Sequence, residues 1–204
     1  MDQYTVSFFG HRVIEDPLMI EQRLETLICK LLKEKEYVEF LIGRDGEFDQ
    51  IVSSTICRCK RKYRSDNSSH IWVLPYVTAE FRDNEESFRD YYDEIEVCET
   101  AAGSHYKNAH QTRNRAMVER SDLVVFCIQH ESGGAWQTMK YVKNRVRPIS
   151  IFTIKGRKWN EKMYLVSNGW CSGHAYFDHC CSQCQHSKGA SLAGNARRMT
   201  GLSM

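Results

Sequence analysis

Ser132-Gly133-Gly134-Ala135 stands between an apolar run, residues 123–128, and a run of helical pattern, residues 136–145. Paired glycines between a strand's end and a helix's start have a definite chemistry. The backbone there can approach a ligand closely, and the first-turn N–H groups have no partner within the helix, so an anion can take them. An ordinary tight strand-to-helix turn looks the same, so one such turn leaves both readings open. A second turn of this kind follows the apolar run at residues 4–9. It reads Gly10-His11-Arg12 and leads to Asp16-Pro17. Arg12 suits a phosphate, and His11 is a candidate hydrogen-bond donor. Both loops sit just beyond strand ends, where open parallel sheets take their ligands. That placement favours a binding crevice over two solvated loops.

The elements that must carry these loops alternate regularly. Apolar runs at 4–9, 38–42, 71–75, 123–128 and 148–153 read as strands, and Glu94-Ile95-Glu96-Val97-Cys98 as a further short one. Asp16 is an expected N-cap with Pro17 at the first helical position. Ile20, Leu24, Leu27 and Leu31 follow as the stripe of an amphipathic helix. Phe48, Ile51, Val52, Thr55 and Cys59 mark one face of a second helix, and residues 107–120 form another. The alternation predicts an α/β fold, a mainly parallel sheet covered by helices on both faces. Residues 80–99, rich in acids with Phe81, Phe88, Tyr91 and Tyr92 interleaved, read as an exposed excursion over the sheet edge. Beyond residue 154 the periodicity is lost. The expected organisation is one ligand-binding domain over 1–154 and a variable, disordered tail over 155–204.

Composition narrows the class. The chain has 204 residues, 42% of them hydrophobic, with a formal net charge of +2. That is enough for one domain with a full core. No bulk charge draws it to nucleic acid, and no apolar run has the length of a membrane span. No secretion leader is evident, which makes a reducing cytoplasm the expected location of its nine cysteines. Cys29, Cys57, Cys59, Cys98 and Cys127 fall in predicted helices and strands and read as small hydrophobes.

Four stretches together resemble the SLOG superfamily of Rossmann-like domains, particularly its YpsA-like branch. They are Phe9-Gly10-His11-Arg12, Gly43-Arg44-Asp45-Gly46-Glu47-Phe48-Asp49, residues 112–122, and Gly133-Gly134-Ala135-Trp136. The resemblance covers residues 4–154. It implies a Rossmann-like three-layer sandwich that binds a nucleotide or nucleotide-derived ligand above the sheet. By that likeness Gly10, Arg12, Gly133 and Gly134 would line the phosphate region, and Gly43 and Gly46 would shape the neighbouring loop. The Lonely-Guy phosphoribohydrolases of this superfamily carry a loop of form GGxGTxxE whose glutamate is catalytic. Here Trp136 replaces a glycine and Lys140 stands where the glutamate belongs. A lysine cannot support an oxocarbenium-like transition state, so that chemistry would need Glu47, Asp49 or Asp45 from another loop. Trp136 offers a flat wall for a base or sugar, or packs its helix on the sheet.

Arg113 shares a helix face with Met117, whereas Arg115 points about 200° away. One of the two is expected to hold an anionic ligand. Arg58, Lys60, Arg61, Lys62 and Arg64 form a basic run around Tyr63, read as a solvated helix end rather than a nucleic-acid patch. In the tail, Cys171, His174, Cys181 and Cys184 have the residue types and pair spacing of a structural zinc site. The short separation between pairs weighs against it, so no cofactor is expected. The leading expectation is a cytoplasmic sensor of a nucleotide-derived small molecule, with a homo-oligomer admitted. Two alternatives stand beside it: an N-glycosidase or NAD-consuming hydrolase, and a DprA-like single-strand DNA binder.

Overall fold

A computed structural model describes residues 2–144 and the backbone of 150–154. The tail and its Cys171, His174, Cys181 and Cys184 lie outside the described residues. In chain order the elements are β1 (Gln3–Gly10), α1 (Pro17–Glu34), β2 (Tyr37–Ile42), α2 (Glu47–Lys62) and β3 (Ser68–Leu74). There follow α3 (Ala79–Asp83), α4 (Glu85–Tyr91), β4 (Glu94–Val97), α5 (Glu99–Ala102), α6 (Tyr106–Glu119), β5 (Leu123–Cys127), α7 (Gly133–Lys143) and β6 (Ser150–Ile154).

Six strands form one sheet in the order β4-β3-β2-β1-β5-β6. Every pairing is parallel. From β1 the chain builds outward through β2, β3 and β4, then returns to place β5 on the other side. The strand order therefore reverses between β1 and β5, where such sheets open a crevice. Gly10 pairs with Cys127 in register, so both glycine-bearing turns leave the same edge of the sheet.

The period of two along the strands divides the core. Val6 and Phe8 of β1, with Val38, Phe40 and Ile42 of β2, face α1 and α2. Phe9, Leu41, Ile71, Val73, Val124 and Phe126 face α6 and α7 on the other side. This is a three-layer α/β/α sandwich. Ile20, Leu24, Leu27 and Leu31 are all buried, as their spacing predicts. Asp16 caps α1, its Oδ1 accepting from the Met19 N–H at 3.4 Å. The acidic excursion differs from expectation. Phe81, Phe88 and Tyr92 are buried against Trp72 and Leu74 as a third apolar cluster, while Tyr91 stays exposed. Glu80, Asp83, Glu85, Glu86 and Asp90 are exposed on the short helices α3 and α4, whose aromatic residues pack on β3, while Glu94 and Glu96 belong to the edge strand β4. No helix among the described residues is long and apolar enough to cross a membrane.

Candidate functional site

The loops after β1, β2 and β5 and the face of α6 enclose a cavity of about 440 Å³ at the β1–β5 switch point. Gly10, His11, Arg12, Gly43, Asp45, Asp49, His110, Arg113, His130, Gly133 and Gly134 line it.

Gly133 and Gly134 open α7. Gly133 has φ +80°, in the region that favours glycine, and the Ser132 side chain makes no capping bond to the helix. That hydroxyl pairs with His130 Nδ1 instead, at 2.8 Å. The first turn of α7 thus presents backbone N–H groups with no side-chain cap. Thr138 returns a hydrogen bond to the Gly134 carbonyl, and Asn114 Nδ2 donates to Thr138 Oγ1, which fixes α7 against α6.

His11 has a different role from the one its position suggests. The ring is buried, Nδ1 accepts from the Gln129 N–H and Nε2 donates to the Ser132 carbonyl, both at 3.1 Å. Its single N–H is therefore committed to joining the β1 loop to the β5 loop and is not free for a phosphate. Burial holds its pKa below the ordinary imidazole value, the Ser132 carbonyl acting upward and the stacked His130 downward. Arg12 beside it is exposed, with no ion-pair partner among the described residues.

Across the crevice lies a charged cluster. Arg113 is buried. It donates from Nη1 to the Val73 carbonyl at 2.8 Å and from Nη2 to Asp45 Oδ2 at 2.6 Å. Its Nε has no hydrogen-bond partner among the described residues. His110 Nδ1 also meets Asp45 Oδ2, at 3.2 Å. Burial would raise Asp45, but Arg113 and His110 together carry it below the usual carboxylate value. Asp49 is half-buried and accepts from the Asp45 N–H at 2.8 Å. Desolvation pushes its pKa up to about 6, against the pull of that N–H and of Arg113. Asp49 and Gly43 also line a second cavity of about 350 Å³, bounded by Arg44, Gln50, Ser53, Ser54, Tyr91 and Tyr92. One wall thus carries backbone N–H groups of a helix start with no side-chain cap, and the other a carboxyl whose pKa is raised to about 6.

The solved structures place this architecture among known folds. An X-ray structure of DNA processing protein A (DprA) from Streptococcus pneumoniae superposes with a TM-score of 0.55 at 18% sequence identity. The fold is Rossmann-like. The match covers 76% of this chain and 51% of that one, so the chain spans about half the length of that protein. At this identity the likeness concerns the fold alone. No family model matches the chain, and no curated protein matches it by sequence.

The candidate residues sort clearly within this frame. Arg113 lines the crevice, while Arg115 is exposed with its guanidinium 5.2 Å from the Tyr141 ring centroid, outside the cavity lining. Asp49 lines the crevice. Glu47 does not, because its Oε2 accepts from the Ile14 N–H at 2.8 Å and ties down the β1 loop. Trp136 is half-buried against the α6–α7 side of the core, with Lys140 and Lys143 over its ring, and does not line the crevice. Three glycines are explained by packing. A Cβ on Gly10 would lie 2.2 Å from Phe48 Cγ, and one on Gly46 would lie 2.5 Å from Arg12 Cα. A Cβ on Gly43 would lie 2.9 Å from Arg113 Nη1 and 3.0 Å from Asp49 Oδ2. His110 and Asn114 were not among the expected residues. Their positions three residues before Arg113 and one after it, on the same helix, are the only sequence signal for them.

The basic run is largely neutralised. Arg58 pairs with Glu21, Lys60 with Asp93, Lys62 with Glu25 and Arg64 with Asp66. Among the described residues no group of three or more His, Cys, Asp or Glu could hold a metal ion.

Proposed function

We propose that the crevice binds a phosphate-bearing, nucleotide-derived small molecule and that the protein senses it. The observation that carries this reading is the start of α7. Its first turn has no side-chain cap, carries two glycines, and lines the same cavity as the exposed Arg12 guanidinium, which has no ion-pair partner among the described residues. Backbone N–H groups at a helix start and an exposed guanidinium are complementary to a phosphate. The affiliation with the YpsA-like branch belongs to this proposal and rests on the residue motifs.

One observation favours a second reading, hydrolysis of an N-glycosidic bond. Asp49, with a pKa near 6, is a carboxyl that can give up or take a proton at neutral pH inside the cavity. The likeness in fold to DNA processing protein A raises a third, single-strand DNA binding. The pairing of four of the five cations in the basic run with acids weighs against that run as the contact surface.

Calorimetry on the full chain separates these readings. The titrants are nucleoside mono- and diphosphates, inorganic phosphate and an oligothymidylate. The proposal expects micromolar or tighter binding of one phosphorylated nucleotide. Arg12→Ala should weaken it by roughly 10-fold or more, the loss of a charge-assisted hydrogen bond. Binding of oligothymidylate alone would favour the DNA reading. Release of free base during the titration, lost in Asp49→Asn, would favour the hydrolase. No binding of any nucleotide to folded protein overturns the proposal.

A further inference from the structure

We propose that Cys29 and Cys59 form a peroxide-reactive thiol pair that closes to a disulfide between α1 and α2. Their Sγ atoms lie 3.5 Å apart, across thirty residues of chain. Both are free thiols, on facing helices of one apolar cluster. Bond formation requires the sulfurs to approach to about 2.05 Å. That is a movement of about 1.5 Å, within reach of side-chain rotation between packed helices.

The two cysteines are not equivalent. Cys29 keeps 8% of its surface exposed, whereas Cys59 keeps 1%. The Cys59 thiol hydrogen-bonds to Cys29 and lowers its pKa; burial and Glu25 oppose this, while the Tyr63 hydroxyl and Lys33 add to it. Cys59 is shifted the other way, upward, by its bond to Cys29 and by burial. Cys29 is thus the attacking thiolate and Cys59 the resolving thiol. Cys57, two residues before Cys59 on α2, serves as an internal contrast. Its Sγ lies 3.7 Å from His70 Nδ1, and burial raises its pKa.

The chemistry balances with a hydroperoxide as the oxidant. The Cys29 thiolate attacks one peroxide oxygen and the O–O bond breaks. The leaving oxygen departs with the electron pair and takes a proton from solvent, and Cys29 becomes a sulfenic acid. The Cys59 sulfur then displaces the hydroxyl from Cys29, losing its own proton, and water leaves as the S–S bond forms. In sum two thiols are oxidised and one peroxide is reduced to an alcohol, or to water, plus one water. The bond would tie together the two helices whose N-terminal loops, 11–16 and 43–46, wall one side of the crevice. The inference does not depend on what the crevice binds.

The full chain is treated with hydrogen peroxide, then denatured and alkylated with N-ethylmaleimide so that every remaining thiol is labelled. Trypsin cuts after Arg58 and so separates Cys57 from Cys59. Mass spectrometry should find the peptide of residues 24–30 joined to that of residues 59–60, two hydrogens lighter than their sum and released by dithiothreitol. Cys59→Ser should leave Cys29 as a sulfenic acid that dimedone traps, and Cys29→Ser should leave Cys59 fully alkylated. Recovery of Cys29 and Cys59 as maleimide adducts while Cys57 or Cys98 is oxidised would overturn the inference. So would a cross-link from either cysteine to any other residue. The mapping on the unmutated chain stands even if a variant fails to fold.

Discussion

Asp49→Asn should make the protein more stable at neutral pH, an unusual sign for replacing an acid in the first turn of a helix. The carboxyl rises from 3.8 to about 6 in the folded chain because its surroundings remove water from the charged form. Above pH 6 the folded state therefore carries an ionised Asp49 at a cost that the unfolded chain does not bear. The full difference corresponds to about 3 kcal/mol at 1.36 kcal/mol per pH unit. Asp49 is only half-buried, so solvent screening reduces this to roughly 1–2 kcal/mol. Asparagine keeps the shape and an acceptor for the Asp45 N–H, and it carries no charge. The sign with pH follows from linkage. A raised carboxyl pKa means the folded state binds the extra proton between pH 6 and 3.8, so the penalty fades as pH falls through that window. Urea unfolding of both proteins at pH 7.5 and at pH 4.5 is the assay. The variant should lead by roughly 1–2 kcal/mol at pH 7.5, and the gap should shrink towards zero at pH 4.5. A variant less stable at pH 7.5, or a gap that does not depend on pH, would refute the placement of a strained carboxyl in the crevice.

Gly10→Ala should destabilise by about 1–3 kcal/mol, because the added methyl meets three Phe48 side-chain atoms at 2.2–2.6 Å. In a double-mutant cycle with Phe48→Leu, measured by urea unfolding, the pair should couple by roughly 0.5 kcal/mol or more; additive effects would show that Gly10 answers to something other than Phe48. His70 is buried, pairs with Ser53 Oγ at 2.9 Å, and is pushed down to about 4 by burial. Its depressed pKa means the unfolded chain takes up a proton from pH 6.5 downward while the folded chain resists until about 4. Stability should fall across that window by up to about 3 kcal/mol more in the unmutated protein than in His70→Gln, read from unfolding curves at successive pH values.

The sheet was legible because its central strands are buried on both faces and appear as unbroken apolar runs such as residues 123–128 and 71–75. The short helices α3 and α4 were not, since five and seven residues give too little length for a period to emerge. The two glycine turns were legible, as was their common edge, because parallel strands fix both. The roles of individual side chains were not. Glu47 and Asp49 lie two apart and look alike in sequence, yet one bonds Ile14 across 33 residues and the other faces the cavity. His11 looks like a free donor until Gln129 and Ser132, more than a hundred residues on, occupy both its nitrogens. Trp136 and Arg115 lie outside the crevice because of the faces of α7 and α6 they occupy: Trp136 packs on the core and Arg115 lies over Tyr141.

The most direct test of the crevice as a nucleotide phosphate site is an amide shift map of isotope-labelled full chain titrated with the nucleotide that binds best in calorimetry. The account predicts that the largest shifts fall on the N–H groups of Gly133 and Gly134, with Arg12 next. It also predicts that inorganic phosphate reproduces the Gly133 and Gly134 shifts at higher concentration. Shifts confined to residues 58–64, or spread over the outer faces of the helices while Gly133 and Gly134 stay fixed, would contradict it.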